Sequence, residues 1–363
     1  MSNGSRRPPG SHPLPPRRRQ ALIFTGPGHV EVQDEPLALP AAGQVLVACE
    51  LSALSAGTEL LAFRGELPAE LPVDETLGAL ASATFRYPFR YGYASVGTVV
   101  AAADGDHDAA AWIGRRVFAF QPHASAFVAP ASELAAVPDG LSSERAVLYP
   151  HMETAVNLIL DGAPGLDDAV LVIGQGVIGL LVTALLARFP LALLAVAEPS
   201  PARSALARAF GARAIVGDGA QWTALAGARG ADLVYELSGD PRALDLAIAA
   251  AGHEARIIVG SWYGTKRAPV DLGGRFHRRR LHIASSQVSH IGAPLSARWD
   301  RARRREATWR ALASIDTTSL IGHRVPFTEA QRAYELAAGA GGGAGGGDPH
   351  GAPQVLLAHT GVA

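Results

Sequence analysis

The chain is poor in cysteine: of 363 residues only Cys49 is one. That excludes an intrachain disulfide and any cysteine-rich zinc site. An excess of either charge is also lacking. Lys and Arg number 32 against 33 Asp and Glu, a formal net charge of −1, so overall charge predicts neither a nucleic-acid nor a membrane partner. No apolar run has the length and flanks of a transmembrane span. The longest, near Val177–Leu186, is broken by Arg188 and Pro190. No internal repeat of roughly 20–50 residues is present. Residues 1–20, MSNGSRRPPGSHPLPPRRRQ, carry five prolines and five arginines with few apolar side chains. They are expected to form a disordered tail and lack the apolar region of a secretory signal, so a cytoplasmic location is expected. The Arg17–Arg19 cluster reads as a solvated leader, with contact to an acidic partner as the alternative.

What is present is apolar surface, 48% of residues, in a chain long enough for two domains. The stretch that organises it is Ala169–Glu198, AVLVIGQGVIGLLVTALLARFPLALLAVAE. A strand runs straight into Gly174-Gln175-Gly176-Val177-Ile178-Gly179, then a helix-length apolar run, then a second strand closing on Glu198. Gly174 permits a tight turn, Gly176 lets backbone approach a pyrophosphate, and Gly179 lets helix and strand pack closely. The helix N-terminus offers free N–H groups to phosphates. Glu198, 24 residues after the first glycine, suits the ribose hydroxyls of NAD and would repel a 2′-phosphate. Arg203 leaves NADP open.

Before this stretch, short alternating runs with turn signals predict a compact all-β unit. After it, strand and helix alternate through six apolar strands, which predicts a parallel doubly wound sheet. An Arg-rich helix, LSARWDRARRREATWRALASI, follows; its basic face reads as solvated rather than as a nucleic-acid surface. A last helix over 328–338, a Gly-rich linker over 339–351 and a terminal strand, PQVLLAHT, complete the chain.

This order resembles the medium-chain dehydrogenase/reductase superfamily, the zinc-type alcohol dehydrogenase-like fold. The resemblance rests on Ser55-Ala56-Gly57-Thr58-Glu59, Gly92-Tyr93-Ala94-Ser95-Val96-Gly97 and the Gly174–Gly179 loop. It implies an α/β fold in four parts: a tail over 1–20, a GroES-like β-barrel substrate domain over 21–150, a Rossmann NAD(P)-binding domain over 151–290, and a segment over 291–363 whose strand returns to the barrel. It also implies a homodimer acting on a small-molecule substrate. In zinc members a cysteine stands at Ala56, a histidine at Tyr93 and a glutamate at Ala94. With those donors gone, no catalytic zinc is expected. The SAGTE, YGYASVG and SQVSHIG strings resemble zinc-free members related to the bacteriochlorophyllide hydroxyethyl dehydrogenase, which imply oxidation of a secondary alcohol to a ketone. Reduction of an activated C=C bond and a non-catalytic NAD-binding scaffold stay open.

Without a metal to polarise the substrate oxygen, a side chain must move the proton. Tyr93 can donate to that oxygen, or fill the space the metal left. Thr58 aligns with a proton-relay hydroxyl, or caps a turn. Glu59 aligns with an acid that is mainly structural. His151 and Glu153, in YPHMETA at the start of a crossing helix, are further acid/base candidates. Thr154 aligns with a nicotinamide contact. Ser238 and Gly260, at strand ends, are expected beside the cofactor. Arg64, Arg86, Arg90 and His123 flank the cleft in sequence and read as solvated, or as anion ligands.

Overall fold

The computed structural model describes residues 17–341 and 351–359. The chain opens with an antiparallel hairpin, β1 (Arg18–Gly26) and β2 (His29–Pro36). Then come β3 (Gln44–Ala53), α1 (Ala56–Arg64), β4 (Ser95–Ala102), α2 (His107–Ala110), β5 (Arg116–Ala119), β6 (Ala126–Pro130), β7 (Ala135–Ala136) and α3 (Ser143–Ala146). Helix α4 (Tyr149–Gly162) leads into β8 (Ala169–Ile173), α5 (Val177–Leu186), β9 (Leu193–Ala197), α6 (Pro201–Ala209), β10 (Ala214–Val216), α7 (Gly219–Ala226), β11 (Ala231–Glu236), α8 (Ala243–Ala250), β12 (Ala251–Val259) and β13 (His282–Ser285). The chain ends with α9 (Arg301–Ser314), β14 (Ile321–Pro326), α10 (Ala330–Gly341) and β15 (Gln354–Ala358).

Two large sheets result. One is parallel, with strands in the order β10-β9-β8-β11-β12-β13. Its order reverses between β8 and β11, the switch point beside which ligands bind in such sheets. The other is largely antiparallel, in the order β14-β15-β3-β4-β5-β7, with β6 also on β3. The fold is therefore α/β, a Rossmann-like sheet beside a separate antiparallel sheet. The returning strand β15 pairs with β3, Leu356 opposite Ala53. Two of the helices between the parallel strands, α6 and α7, start on side chains that accept their free amides: Ser200 from Arg203 N and Asp218 from Gln221 N. The largest core cluster is shared by both bodies, packing Phe118 and Leu148 together with Val172, Leu180 and Tyr235. Among the described residues no helix is long and apolar enough to cross a membrane.

Three boundaries differ from expectation. Arg18, Arg19 and Gln20 lie within β1, opposite Pro36, Glu35 and Asp34. The tail proper falls in residues 1–16, outside the described residues. Helix α10 runs on through Gly339, where a linker was expected; residues 342–350 lie outside the described residues. The weak polar–apolar pattern of IGHRVP predicts no strand; pairing with β15 makes β14 one.

Candidate active site and cofactor loop

The glycine loop has the geometry that its residue types require. Gly174 has φ +89°, a left-handed conformation, and a Cβ there would lie 2.6 Å from Ser238 Cα. A Cβ on Gly179 would lie 2.0 Å from Gly174 O, so helix α5 meets the loop too closely for any side chain. At Gly176 nothing lies within 4 Å of the Cβ direction, an open space at the N-cap of α5. Val177 is buried and Ile178 partly so, turned toward the core. The Gln175 side chain is fully buried: it donates to Gly174 O (3.1 Å) and accepts from Thr183 Oγ1 (3.0 Å). It therefore braces the loop from within and is not itself available to a ligand.

Glu198 sits just past β9 with its carboxylate turned to the same loop. One oxygen accepts from Gln175 N and the other from Ser200 N, both at 2.9 Å. Arg203 Nε lies 3.5 Å from the second oxygen. A carboxylate has about four acceptor positions, so ribose hydroxyls still have acceptors here. Arg203 is already engaged by an opposite charge. Gly351, on the way to β15, packs on this corner; its Cβ would lie 2.8 Å from Ala202. That approach by the returning chain had no sequence signal.

At the carboxyl end of β11, buried Glu236 accepts from Ser238 N (2.8 Å) and from the hydroxyls of Ser238 and Tyr263. Ser238 is itself exposed beside Gly174. Gly260 has no room for a side chain: a Cβ would meet Leu237 at 2.6 Å and Leu158 at 2.8 Å. Ser261 Oγ accepts from Gly239 N (2.9 Å), joining the loops after β11 and β12.

In the antiparallel body the candidate acid/base groups gather at the start of α1. The Tyr93 hydroxyl donates to Ser55 Oγ. Burial, then the nearby Glu59 charge, pushes the Tyr93 phenol up to about 12, with Ser55 and Thr58 hydrogen bonds opposing. Thr58 thus belongs to the same hydroxyl group of residues. Glu59 is buried beneath. It accepts from Ser55 N (2.9 Å), from the Tyr334 hydroxyl and from His123 Nε2 (2.9 Å). Burial opposes its ionisation, but His123, Tyr334 and the Ser55 amide together hold the carboxyl below its ordinary range. His123 is thus a fully buried partner of Glu59, wedged against Gly92, and not a solvated or anion-binding residue.

His151 lies at the third position of α4, and its side chain is buried at 4% exposure. Neither ring nitrogen has a hydrogen-bond partner. Burial pushes its imidazole down to about 4, with the Glu59 charge pulling the other way. Glu153, two residues on, faces elsewhere, as i,i+2 positions on a helix do. It pairs with buried Arg304 of α9 (3.2 Å), which also donates to Asn157 Oδ1 (2.8 Å). This ion pair accounts for Glu153 as a brace between α4 and α9. Thr154 donates to Pro150 O (2.9 Å) within the helix. Arg86 and Arg90 pair with Glu70 and Glu35 at the surface, and Arg64 donates to Ala338 O (3.2 Å). Ser55 is the site residue that sequence reasoning missed as an individual; its only signal was its place in SAGTE.

The positions at which the resemblance places metal donors offer a poor donor set. Ala56 and Ala94 carry none, and Tyr93 is engaged by Ser55. Among the described residues no three His, Cys, Asp or Glu side chains gather as a metal site.

No family model matches the chain. Among curated proteins it is similar to D-guloside 3-dehydrogenase of Escherichia coli (strain K12), 25% identical over 337 residues that cover 86% of this chain and 94% of the relative. Among solved structures it is similar to an E. coli CFT073 alcohol dehydrogenase complexed with NADH: TM-score 0.73, 19% identity, covering 94% of this chain and 100% of that one. Galactitol-1-phosphate dehydrogenase from E. coli is similar at TM-score 0.72 and 20% identity, covering 93% and 99%. The two-sheet fold of this chain is that of these alcohol dehydrogenase-like neighbours.

Proposed function

We propose that this chain is an NAD(H)-dependent dehydrogenase that interconverts a secondary alcohol and a ketone on a small organic molecule without a catalytic zinc ion. The observation that carries this reading is His151. A buried imidazole with both nitrogens unpaired lies within reach of the Glu59 charge, and Glu59 accepts from the amide of Ser55, whose hydroxyl takes the Tyr93 hydrogen bond. Buried polar groups are almost always paired, and the exceptions call for a ligand or a chemical role. The named relatives, dehydrogenases of sugar alcohols and glycosides, support the reaction class. From the bacteriochlorophyllide group only the alcohol–ketone chemistry is carried over.

The nicotinamide, when bound, takes or gives the hydride. The residues of the chain do the rest. The glycine loop and the α5 N-terminus face the pyrophosphate, and Glu198 faces the ribose. Tyr93 keeps its proton across the neutral range and presents it to the substrate oxygen when Ser55 reverses its hydrogen bond; a serine hydroxyl both donates and accepts. His151, neutral at pH 7, accepts the substrate hydroxyl proton during oxidation and returns it during reduction. Thr58 supports the same hydroxyl cluster. Glu59 and His123 hold the floor of the site. Zinc independence is supported by the donor set at Ala56, Tyr93 and Ala94. A homodimer is supported by the exposed edge strand β13.

Fluorescence titration with NADH and NADPH tests the cofactor half. NADH should bind at least about tenfold tighter, a difference of about 1.4 kcal/mol. Equal or tighter NADPH binding would contradict the role given to Glu198.

A further inference from the structure

Residues 85–93 read Phe-Arg-Tyr-Pro-Phe-Arg-Tyr-Gly-Tyr, an aromatic at every second position. Phe85, Phe89 and Tyr91 are buried while Arg86 and Arg90 are exposed. The rings touch in series. Phe85 meets Tyr91 edge-on at 5.3 Å, and Tyr91 meets Tyr93 at 6.0 Å. In the other direction Phe85 meets Trp262 at 6.1 Å. A packed series of rings, with Phe85 and Tyr91 buried between its ends, therefore links Tyr93 to Trp262, which belongs to the loop after β12. One end carries the proposed proton donor, and the other adjoins Gly260 and Ser261 on the cofactor side.

Trp262 is 38% exposed. It is the one aromatic among the exposed large hydrophobic side chains of the described residues. Its loop is held in place from both bodies. Ser261 accepts from Gly239 N (2.9 Å), and Tyr263 donates to Glu236. Thr265 N donates to Glu66 O (3.0 Å). Lys266 donates to Gly239 O (3.0 Å) and stands 3.8 Å from the Glu66 carboxylate. Trp262 thus holds a partly exposed indole on a loop anchored from both sides, an apolar ring face with a polar N–H.

We infer that Trp262 is the platform on which a pyranoside ring stacks while one of its secondary hydroxyls reaches Tyr93 and His151, an inference that rests on the dehydrogenase function proposed above. A pyranose presents a face of C–H groups to an indole and hydroxyls at its edge to a polar rim. An acyclic alcohol has no such face. A flat aromatic substrate would stack on the indole but bring few hydroxyls to the site. The glycoside in the name of the curated relative is of the same chemical class.

The test compares NAD-dependent oxidation of methyl D-gulosides, methyl D-glucosides and methyl D-galactosides with that of 2-butanol and 1-phenylethanol. It uses the full chain, Trp262→Ala and Trp262→Phe. The parent should oxidise at least one glycoside with a kcat/KM about tenfold or more above that for 2-butanol. In Trp262→Ala that ratio should fall about tenfold, through KM more than kcat, with the NADH Kd within about twofold of the parent. Trp262→Phe should recover most of the ratio. An unchanged ratio in Trp262→Ala would overturn the platform. So would NADH binding weakened in step with the glycoside, which would make Trp262 a cofactor contact. Oxidation of 2-butanol or 1-phenylethanol with no glycoside turned over would overturn the substrate class and leave the dehydrogenase intact. NADH binding with no alcohol oxidised would overturn both.

Discussion

The Tyr93 hydroxyl is hydrogen-bonded to Ser55 Oγ at the N-cap of α1. The bond brings together two residues 38 positions apart. Removing the hydroxyl alone should separate chemistry from binding. Tyr93→Phe should lower kcat by about 10²- to 10⁴-fold, the range for loss of a positioned proton donor. NADH affinity should stay within about twofold. Steady-state kinetics beside a fluorescence titration give both numbers. Ser55→Ala should produce a smaller loss, because Ser55 orients the phenol and does not replace it.

Two glycines of the cofactor loop should respond in opposite ways. Gly176→Ala meets nothing within 4 Å at a negative φ, so the fold should be indifferent. The methyl group nevertheless intrudes where a pyrophosphate would lie. Its Tm should match the parent while NADH binding weakens about tenfold or more. Gly179→Ala drives a methyl group onto Gly174 O at 2.0 Å, so it should cost about 1–3 kcal/mol of stability as overpacking does. Thermal unfolding and NADH titration of the pair distinguish ligand space from packing space.

The Glu59–His123 pair should behave as a buried pair does. Glu59→Ala strands His123 Nε2, the Tyr334 hydroxyl and the Ser55 amide in the core. A loss of about 3–5 kcal/mol is expected, measured by denaturant unfolding. The double change with His123→Leu should cost less than the sum, since the two residues share one interaction.

His151 makes stability depend on pH in a stated direction. Its folded value of about 4 lies below the ordinary 6.5. Between those values the unfolded chain binds a proton that the folded chain refuses, so stability falls as pH drops from about 6.5 to about 4. The gap is worth about 3 kcal/mol at about 1.4 kcal/mol per pH unit. His359, buried and pushed down to about 3, acts in the same direction. Denaturant unfolding at pH 7 and pH 4.5 should show His151→Leu losing less stability on acidification than the parent, by about 2 kcal/mol. An unchanged difference would mean that His151 is accessible to protons in the folded chain.

The parts of this fold that local chemistry dictates were legible in the sequence. The Gly174–Gly179 loop has glycine at a left-handed turn and at a helix contact, and the strands around it are continuous apolar runs. Contacts made over long separations were not legible. His123 reads as one more polar residue in a loop until the fold brings it to Glu59, 64 positions away. Glu153 looks like a free acid in a helix until Arg304, 151 positions on, closes on it. The limit at Arg18 has the same origin: a basic, proline-flanked run becomes strand because β2 lies alongside it. His151 is a candidate in the sequence, but its burial without a partner shows only in the packed fold.

The central claim is proton transfer by side chains in place of a metal. It is tested most directly by NAD-dependent oxidation of an accepted secondary alcohol before and after exhaustive chelation, with zinc counted in the same samples. Turnover that persists at well below one zinc per chain is the predicted result. One zinc per chain, with activity lost on chelation and restored by zinc, would contradict it.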